Sequence, residues 1–357
     1  MGEFSRMDTD DPLPAATAFT VGLAYNLKKG IAAATEDAEA EYDNIETIEA
    51  LESVFGKAGL KTVRLEQDAH FMTKVMDARP DFVFNIAEGI GGRSREGQVP
   101  AMLDILGIPY SGSDTTTLCV ALDKALTKRI LRGYRVPTPA YLELLPRPVT
   151  SHPRHRLRFP VITKPSCEGS SKGISDLAIA DNDMELQGLL ERNFRLYGQT
   201  MLVEEYIAGR EFTVGLLGNG EDLRVFEPME ICYLDQINRE NSIYSFNVKK
   251  NYQQYVRYEC PAKLDKKANS TLKRYAATAF NALHCRDFAR ADFRLGADGT
   301  FHFIEINPLP GLAPGYSDYP MLAAANGVDY EQLVLAVLNA ALQRHGLPTA
   351  RFLQATA

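Results

Sequence analysis

The sequence of 357 residues lacks tryptophan and has few residues that could form disulfide or zinc sites. Its cysteines are scattered and form no CxxC pair; they are Cys119, Cys167, Cys232, Cys260 and Cys285. This spacing indicates neither a disulfide framework nor a zinc site. No apolar run approaches the length of a membrane span, and the N-terminus has no hydrophobic signal region. We therefore expect a cytoplasmic protein with reduced thiols and no membrane partner.

The sequence also has no excess of basic residues. Lysine and arginine together number 39 against 46 aspartates and glutamates, so the formal net charge is -7. This balance argues against a nucleic-acid-binding surface as the main function. The chain is too long for one ordinary core, so we predict two or three domains. Residues 1–18 are predicted to be a tag or a disordered tail, with Met7 as an alternative start.

The first part of the sequence alternates strands with helices. A short buried strand over 19–25 precedes a helix that ends near Gly59, and further strands are predicted over 61–65 and 81–87. This alternation predicts a small parallel sheet with crossover helices. The glycine-rich loop that follows, EGIGGRSREG, lies at the carboxyl end of a strand, where such sheets bind ligands. A plain surface loop is the alternative.

The middle of the sequence carries lysines beside a loop rich in serine and glycine. A helix predicted over 117–132 has Lys124 and Lys128 on one face, and a strand containing Lys164 leads into SCEGSSKG. Such a loop can offer backbone N–H groups and hydroxyls to phosphate oxygens. The Walker spacing GxxxxGK[ST] is absent, and serine-glycine turns are common without ligands. The loop alone therefore leaves both interpretations open.

Carboxylates and a long polar segment come next. The strand MLVEEYI ends in Glu204 and Glu205, and Glu211 opens the following strand. The tyrosine-rich stretch over 235–261 is too long for a simple connection, which favours a lid or binding loop.

Two alternating runs, 288–295 and 301–306, flank Asp298-Gly299, a strong signal for a two-residue hairpin turn. With that turn, Asp292 faces Glu305 and Arg290 faces Asn307, and all four side chains project from one face. Two facing carboxylates repel each other unless a cation lies between them. Carboxylate and amide oxygens suit Mg²⁺. A solvated polar face, partly neutralised by Arg290 and Arg294, is the alternative.

Several motifs in this order resemble the D-alanine–D-alanine ligase family of ATP-grasp enzymes, from about residue 82 to residue 327. They are LGIPYSGSD, DKALTKRIL, VITKPSCEGSSKGI, VEEYIAGREFTVG, and ARADF followed by FIEINPLPG. The resemblance implies a protein of mixed α-helices and β-strands (α/β), with the α+β arrangement of the ATP-grasp fold. A small parallel-sheet domain would precede two domains with antiparallel sheets that clamp ATP. We expect domains over 19–113, 114–203 and 204–357.

The resemblance also implies roles for individual residues. Lys124 and Lys164 would contact the nucleotide phosphates, and the loop from Ser166 to Gly173 would close over the γ-phosphate. The adenine and the ribose would be bound by Glu204, Glu205, Ile207 and Glu211. Further nucleotide-binding residues would be Glu168, Ser170, Ser171 and Lys249.

The reacting end of the site is assigned in the same way. Asp292, Glu305 and Asn307 would hold two Mg²⁺ ions, with Mn²⁺ as a candidate substitute. Arg290 would face the oxyanion of the tetrahedral intermediate, assisted by the backbone of Gly311. Ser170 and Lys249 complete the catalytic set.

The sequence differs from the family at the positions that recognise the substrates. The region LAYNLKKGIAAATEDAEAEYD does not match the family's glycine-rich opening, whose glutamate binds the first amino group; Glu39 and Glu41 are the candidate replacements. Ala87-Glu88-Gly89 replaces a histidine-glycine pair, and Lys250 replaces a tyrosine in the lid. The family's acceptor-reading serine falls at Tyr316, beside Ser317. We therefore expect an acceptor other than plain D-alanine.

The resulting prediction is an ATP-dependent carboxylate–amine ligase that acts through an acyl phosphate on small amino-acid-like substrates. One alternative is a ligase that joins an amino acid to a different amine or hydroxyl acceptor in secondary metabolism. The other is a non-catalytic ATP-binding protein of the same fold. A homodimer is left open as the assembly.

Overall fold

The computed structural model describes residues 19–30, 39–146, 153, 155–168, 178–234 and 252–350. The predicted tail over 1–18 and the site residues Ser170, Ser171, Lys249 and Lys250 lie outside the described residues. Among the helices of the described part, none has the length and apolar character needed to cross a membrane.

The first sheet is parallel, as predicted, with strand order β2-β1-β3. Its strands are β1 (Thr20–Tyr25), β2 (Lys61–Glu66) and β3 (Phe82–Asn85). The helices α1 (Ile45–Lys57) and α2 (Phe71–Ala78) connect them, and α3 (Gln98–Leu106) follows. Every residue of β1 after Thr20 is buried, as expected for a strand covered on both faces.

The second sheet is antiparallel, with strand order β4-β7-β5-β6. Its strands are β4 (Tyr141–Leu144), β5 (Val161–Pro165), β6 (Ile179–Ala180) and β7 (Met201–Glu205). Helix α6 (Asp183–Tyr197) packs on it through Leu186 and Leu190. This sheet extends to Glu205, so β7 crosses the predicted domain limit at residue 204. The domain limits themselves stay predictions.

The third sheet is antiparallel and has the order β11-β10-β8-β12-β13, with β9 paired to β8. Its strands are β8 (Arg210–Leu217), β9 (Arg224–Val225), β10 (Met229–Tyr233), β11 (Val256–Glu259), β12 (Phe288–Leu295) and β13 (Phe301–Asn307). Helix α7 (Tyr252–Tyr255) precedes β11. Helix α8 (Lys266–Ala282) packs on the sheet, with Ala276 and Phe280 in one core with Phe293.

The turn of the β12–β13 hairpin differs from the prediction, although the predicted pairs are present. The amide of Gly299 donates to Gly296 O and the amide of Gly296 donates to Thr300 O, so the loop has three residues, not two. Gly299 has φ 78°, the left-handed conformation that ends such a loop. A bulge between Asp292 and Phe293 then shifts the strand pairing back to the predicted register. Asp292 therefore pairs with Glu305, and Arg290 pairs with Asn307.

The single helix predicted over 117–132 is wrong. The structure has α4 (Thr115–Leu122) and α5 (Lys124–Gly133), interrupted at Asp123. The Asp123 carboxylate accepts the Leu126 amide at 2.9 Å, which makes Asp123 the N-cap of α5. Lys124 is therefore the first residue of a new helix, and its amide donates to Ser166 O of the phosphate-loop candidate.

The C-terminal helices return to the first sheet. They are α9 (Asp318–Ala325) and α10 (Tyr330–Arg344), and α10 begins with the predicted capping box of Asp329 and Gln332. Apolar residues of α10 share one core with β1 and α1. The fully buried Asp287 accepts from Arg344 of α10 and from the Gly112 amide after the first sheet. The first sheet is thus attached to the third one at the edge of the candidate site.

Candidate active site

Side chains from all parts of the described fold line a cleft beside the β12–β13 hairpin. The cleft has two adjoining compartments, both open to solvent. The first is lined by Lys124, Glu168, Glu305 and Asn307, and the second by Arg290, Asn307, Gly311 and Ser317. Glu41 and Glu88 line both. The cleft therefore brings together most of the residues that the sequence assigns to metal binding and catalysis.

The hairpin face is not a solvated polar surface. The side chains of Asp292 and Glu305 are only 16% and 25% exposed. Arg290 contacts both oxygens of Asp292, at 3.1 and 2.9 Å, and Lys124 Nζ lies 3.1 Å from Glu305. Asn307 Oδ1 accepts the Leu309 amide. Each carboxylate of the facing pair thus has its own cation, which relieves the repulsion predicted between them.

The two carboxylates differ in their protonation. Burial would raise the pKa of Glu305, but Lys124, Lys164 and Arg290 outweigh it and lower the pKa to about 2. Burial raises the pKa of Asp292, against the opposing effect of Arg290. Glu305 consequently stays ionised throughout the physiological range and is the stronger candidate for binding a cation.

A buried cluster of two lysines and one glutamate lies next to the hairpin. Glu204 accepts Lys164 Nζ at 2.6 Å, and Lys128 Nζ lies 2.9 Å from its other oxygen. Lys128, with no exposed surface, also donates to the carbonyls of Phe303 and Ile304. Burial and the nearby Lys164 lower the pKa of Lys128 to about 8, against the opposing effect of Glu204. The cluster carries one more positive than negative charge. A buried site with surplus positive charge favours an anion such as phosphate.

The other residues assigned to nucleotide binding have separate partners. Lys124 Nζ donates to Glu168 O, and Gln199 donates to the Glu168 carboxylate at 2.6 Å. Glu205 is held by the backbone amide and guanidinium of Arg158. Glu211 accepts from the Tyr233 hydroxyl at 2.7 Å and lies 3.6 Å from Arg294. Ile207 follows β7 and is half-buried near Gly296.

Arg290 and Gly311 lie together in the second compartment. The guanidinium of Arg290 contacts Asp318 at 3.5 Å in addition to Asp292, and Asp318 also accepts the Tyr258 hydroxyl at 2.9 Å. A side chain at Gly311 would approach Ser317 Oγ at 2.8 Å, so any larger residue here would require Ser317 to move. Arg290 therefore remains a fixed positive charge beside exposed backbone.

The opposite wall of the cleft is acidic. It carries Glu41, Asp43, Glu88 and Glu96. Glu41 is paired with Arg95 at 2.6 Å, whereas Glu88 and Glu96 have no hydrogen bond or ion pair among the described residues. Burial and the neighbouring carboxylates raise the pKa of Glu88, and burial raises the pKa of Glu96 to about 8. This wall is suited to bind a positively charged group.

Glu96→Gln is expected to stabilise the protein at alkaline pH. A carboxyl whose pKa is raised in the folded state contributes stability below its unfolded pKa of 4.5, and this contribution is lost as pH rises through about 8. The isosteric amide removes that loss. We expect similar melting temperatures for both proteins at acidic pH. Above pH ~8 the variant should melt at a higher temperature, because its free energy of unfolding should exceed that of wild type by a few kcal/mol. Equal melting temperatures at alkaline pH would contradict the buried carboxylate.

Sequence patterns missed three features of this site. The sequence pattern indicates only that Lys128 lies on the same helix face as Lys124. In the structure, Lys128 and Lys164 both form ion pairs with Glu204. Arg95 lies in a loop of mixed charge and is nevertheless buried against Glu41. Asp318 is the first residue of α9 and reaches Arg290. The spacing DKALTK was the one available signal, since the second lysine falls one turn after the first.

Comparisons with known proteins agree with the motif pattern. A sequence profile of the family described as D-ala D-ala ligase C-terminus matches residues 131–339. A D-alanine–D-alanine ligase of Thermotoga maritima is 32% identical over 300 residues, covering 84% of this chain and 92% of that protein. An uncharacterized protein of Sinorhizobium fredii, y4sG, is 34% identical over 297 residues, covering 81% of this chain and 85% of that one.

A solved structure gives the same picture for the fold. The crystal structure of the D-alanine–D-alanine ligase from Bacillus anthracis complexed with ATP has a TM-score of 0.71 to this chain. The sequence identity is 22%, and the match covers 93% of this chain and 99% of that one.

Proposed function

The chain belongs to the D-alanine–D-alanine ligase family of ATP-grasp proteins and is an ATP-dependent ligase that forms a C–N bond. We propose that it joins the carboxylate of one small amino-acid-like substrate to the amine of another, and that the reaction passes through an acyl phosphate. The predicted fold class and enzyme class are confirmed, and the non-catalytic alternative is set aside. The observation that supports the substrate chemistry is the hairpin pairing, which sets Asp292 opposite Glu305 and against Arg290. Glu305 and Arg290 line the cleft.

We assign the phosphates of ATP to the lysines around Glu204 and Glu305. The cluster of Lys128, Lys164 and Glu204 has a surplus positive charge, and Lys124 adds another cation beside Glu168. Phosphate oxygens would satisfy these charges. Glu205, Ile207 and Glu211 are then the proposed contacts for the adenosine. Ser170 and Ser171 belong to the loop proposed to close over the γ-phosphate, and Lys249 is a further proposed nucleotide contact; all three lie outside the described residues.

Mg²⁺ fits the hairpin residues by their donor chemistry. Asp292, Glu305 and Asn307 offer only oxygen ligands, and the low pKa of Glu305 keeps one carboxylate ionised. When bound, the metal would neutralise phosphate charge and polarise phosphoryl oxygens. Mn²⁺ takes the same ligand types and is a candidate substitute.

The proposed reaction has two displacements. A donor carboxylate oxygen forms a bond to the γ-phosphorus while the bond from that phosphorus to its bridging oxygen breaks, so ADP leaves. The acceptor nitrogen, after losing its ammonium proton, attacks the acyl carbon and phosphate leaves. Positioning and charge neutralisation supply most of the first step. Arg290 would stabilise the oxyanion in the second, with the Gly311 backbone assisting.

We assign recognition of the donor amino group to the acidic wall. Glu88 lines both compartments, shares the second one with Arg290, and has no ion-pair partner among the described residues. A substrate ammonium would compensate its buried charge. Glu39 accepts backbone amides of Lys29 and Gly30, so of the two earlier candidates Glu41 is the one that lines the cleft. The five cysteines of the sequence are free thiols, which supports a reducing, cytoplasmic setting.

A phosphate-release screen tests the proposal. Pairs drawn from D- and L-amino acids and other small acids would be incubated with ATP and Mg²⁺, and phosphate and product measured. We expect release that depends on both a carboxylate donor and an amine acceptor, with an acceptor other than D-alanine used best. Lys250→Tyr should move the preference toward D-alanine. Phosphate release that is independent of amine for every pair would contradict the ligase assignment.

Lys164→Ala and Lys124→Ala are each expected to weaken ATP binding. Each change removes a charge-assisted contact to phosphate, worth about 1.5–3 kcal/mol, so the Kd should rise about ten- to a hundredfold. Titration calorimetry with ATP and Mg²⁺ measures this directly. Lys74→Ala is the control, because Lys74 pairs with Asp68 and neither residue lines the cleft. Unchanged affinity in both cleft variants would remove the phosphate role.

A further inference from the structure

Arg95 is a buried arginine whose side chain reaches two separate parts of the fold. Its guanidinium, in a residue with 5% exposed surface, donates to Glu41 Oε1 at 2.6 Å and to Cys167 O at 2.7 Å. One of its nitrogens lies 3.5 Å from the Glu168 carboxylate. Glu41 precedes α1, whereas Cys167 and Glu168 begin the phosphate-loop candidate after β5. One planar group therefore joins segments that are far apart in sequence.

The partners of Arg95 lie on both sides of the proposed chemistry. Glu168 provides the carbonyl that accepts Lys124 Nζ and so helps to place a proposed phosphate contact. Glu41 lines both compartments of the cleft beside Glu88 on the acidic wall. Arg95 itself lines neither compartment, so we treat it as a positioning residue rather than a catalytic one.

The planar fork explains why this position requires arginine. A guanidinium can donate in several fixed directions at once, so a single arginine can hold a carboxylate on one side and a carbonyl on the other. Lysine supplies the charge at one point only. Because the guanidinium of Arg95 is buried, loss of either partner, Glu41 or Cys167 O, would leave part of its charge without a hydrogen bond. The positions of Cys167 and Glu168 and the position of Glu41 consequently favour each other.

We propose that Arg95 couples ATP binding to binding of the donor amine, because its fork fixes Glu41 and the start of the phosphate loop in one arrangement. The inference rests on the proposed function for the roles of the two sides. Coupling of this kind is reciprocal, and typical values change affinity about 5- to 150-fold. ATP should therefore tighten donor binding by the same factor by which the donor tightens ATP binding.

The test measures this factor in the full-length protein. The probes are a non-hydrolysable ATP analogue with Mg²⁺ and the donor that gives the fastest phosphate release in the amino-acid panel. Calorimetric Kd values for each probe, with and without the other, give the factor for wild type, Arg95→Lys and Arg95→Gln. We expect at least about fivefold coupling in wild type and less than about twofold in both variants.

Controls separate coupling from general destabilisation. Arg64→Gln removes another two-point contact, to Glu52, at the surface of the first sheet, and should leave the factor unchanged. Arg95→Lys keeps a positive charge near Glu41 and is expected to keep most of the melting temperature while losing the coupling. Full coupling in Arg95→Lys, or no coupling in wild type, would overturn the inference. Absence of turnover with every substrate pair would instead remove the proposed function, and the inference with it.

Discussion

Asp292→Asn and Glu305→Gln are each expected to abolish turnover while leaving the protein folded. The two residues pair across the hairpin, Glu305 lines the cleft, and their carboxylates are the proposed Mg²⁺ ligands. An amide keeps the shape but loses the charge that binds the metal. We expect the rate to fall at least about a hundredfold, the range seen for loss of one electrostatic contact to a developing charge. Phosphate release and calorimetric binding of ATP with and without Mg²⁺ are the measurements.

Asp298→Asn provides the matched control for this hairpin. Asp298 lies in the turn, is exposed, and accepts the Thr300 amide, which an asparagine side chain can also do. Its rate should stay near that of wild type. Melting curves of all three variants show whether the fold survives. Wild-type turnover in either Asp292→Asn or Glu305→Gln would show that the hairpin pair does not bind a catalytic metal.

Arg290→Lys is expected to lower kcat about a hundred- to a thousandfold, with a smaller effect on KM. The guanidinium is fixed by Asp292 and Asp318, and the neighbouring carboxylates hold its pKa above the ordinary value although burial opposes them. It is therefore a permanent charge at the end of the cleft where the oxyanion would form. Lysine keeps the charge but cannot contact both aspartates and the oxyanion together.

The comparison for Arg290 is Arg210→Lys. Arg210 makes a two-point contact with Glu230 in the same sheet, and neither residue lines the two compartments of the cleft. Its kcat should change little. A kcat loss that is equal in both variants would indicate that Arg290 supports the sheet, and a normal kcat in Arg290→Lys would remove the oxyanion role.

The sequence was sufficient to predict the hairpin pairs although the predicted turn was wrong. Strand alternation and the motif order placed Asp292 opposite Glu305, and a bulge compensated for the extra loop residue. β12 pairs with β8 without a register shift over the same residues, so the bulge is confined to the pairing of β12 with β13, and the local pattern did not predict it. The helix break at Asp123 was missed because the apolar period continues through it, although aspartate is a typical N-cap.

Contacts between distant segments were the main limit of the sequence interpretation. Lys128 and Glu204 are far apart in sequence, and only the packing of α5 against β7 and β13 brings them together. The same holds for Arg95, whose partners Glu41 and Cys167 lie in segments far from it in sequence. Residue type and spacing indicated which chemistry was present, whereas the partners of each charge required the fold.

The most direct test of the central proposal follows the oxygen atoms of the donor. The donor carboxylate would be labelled with heavy oxygen, and the phosphate released with ATP and acceptor analysed by mass spectrometry. An acyl phosphate requires one labelled oxygen to pass from the donor to the phosphate, together with formation of ADP. We predict phosphate carrying one label per turnover in the wild-type protein. Unlabelled phosphate, or release of AMP and pyrophosphate, would contradict the account.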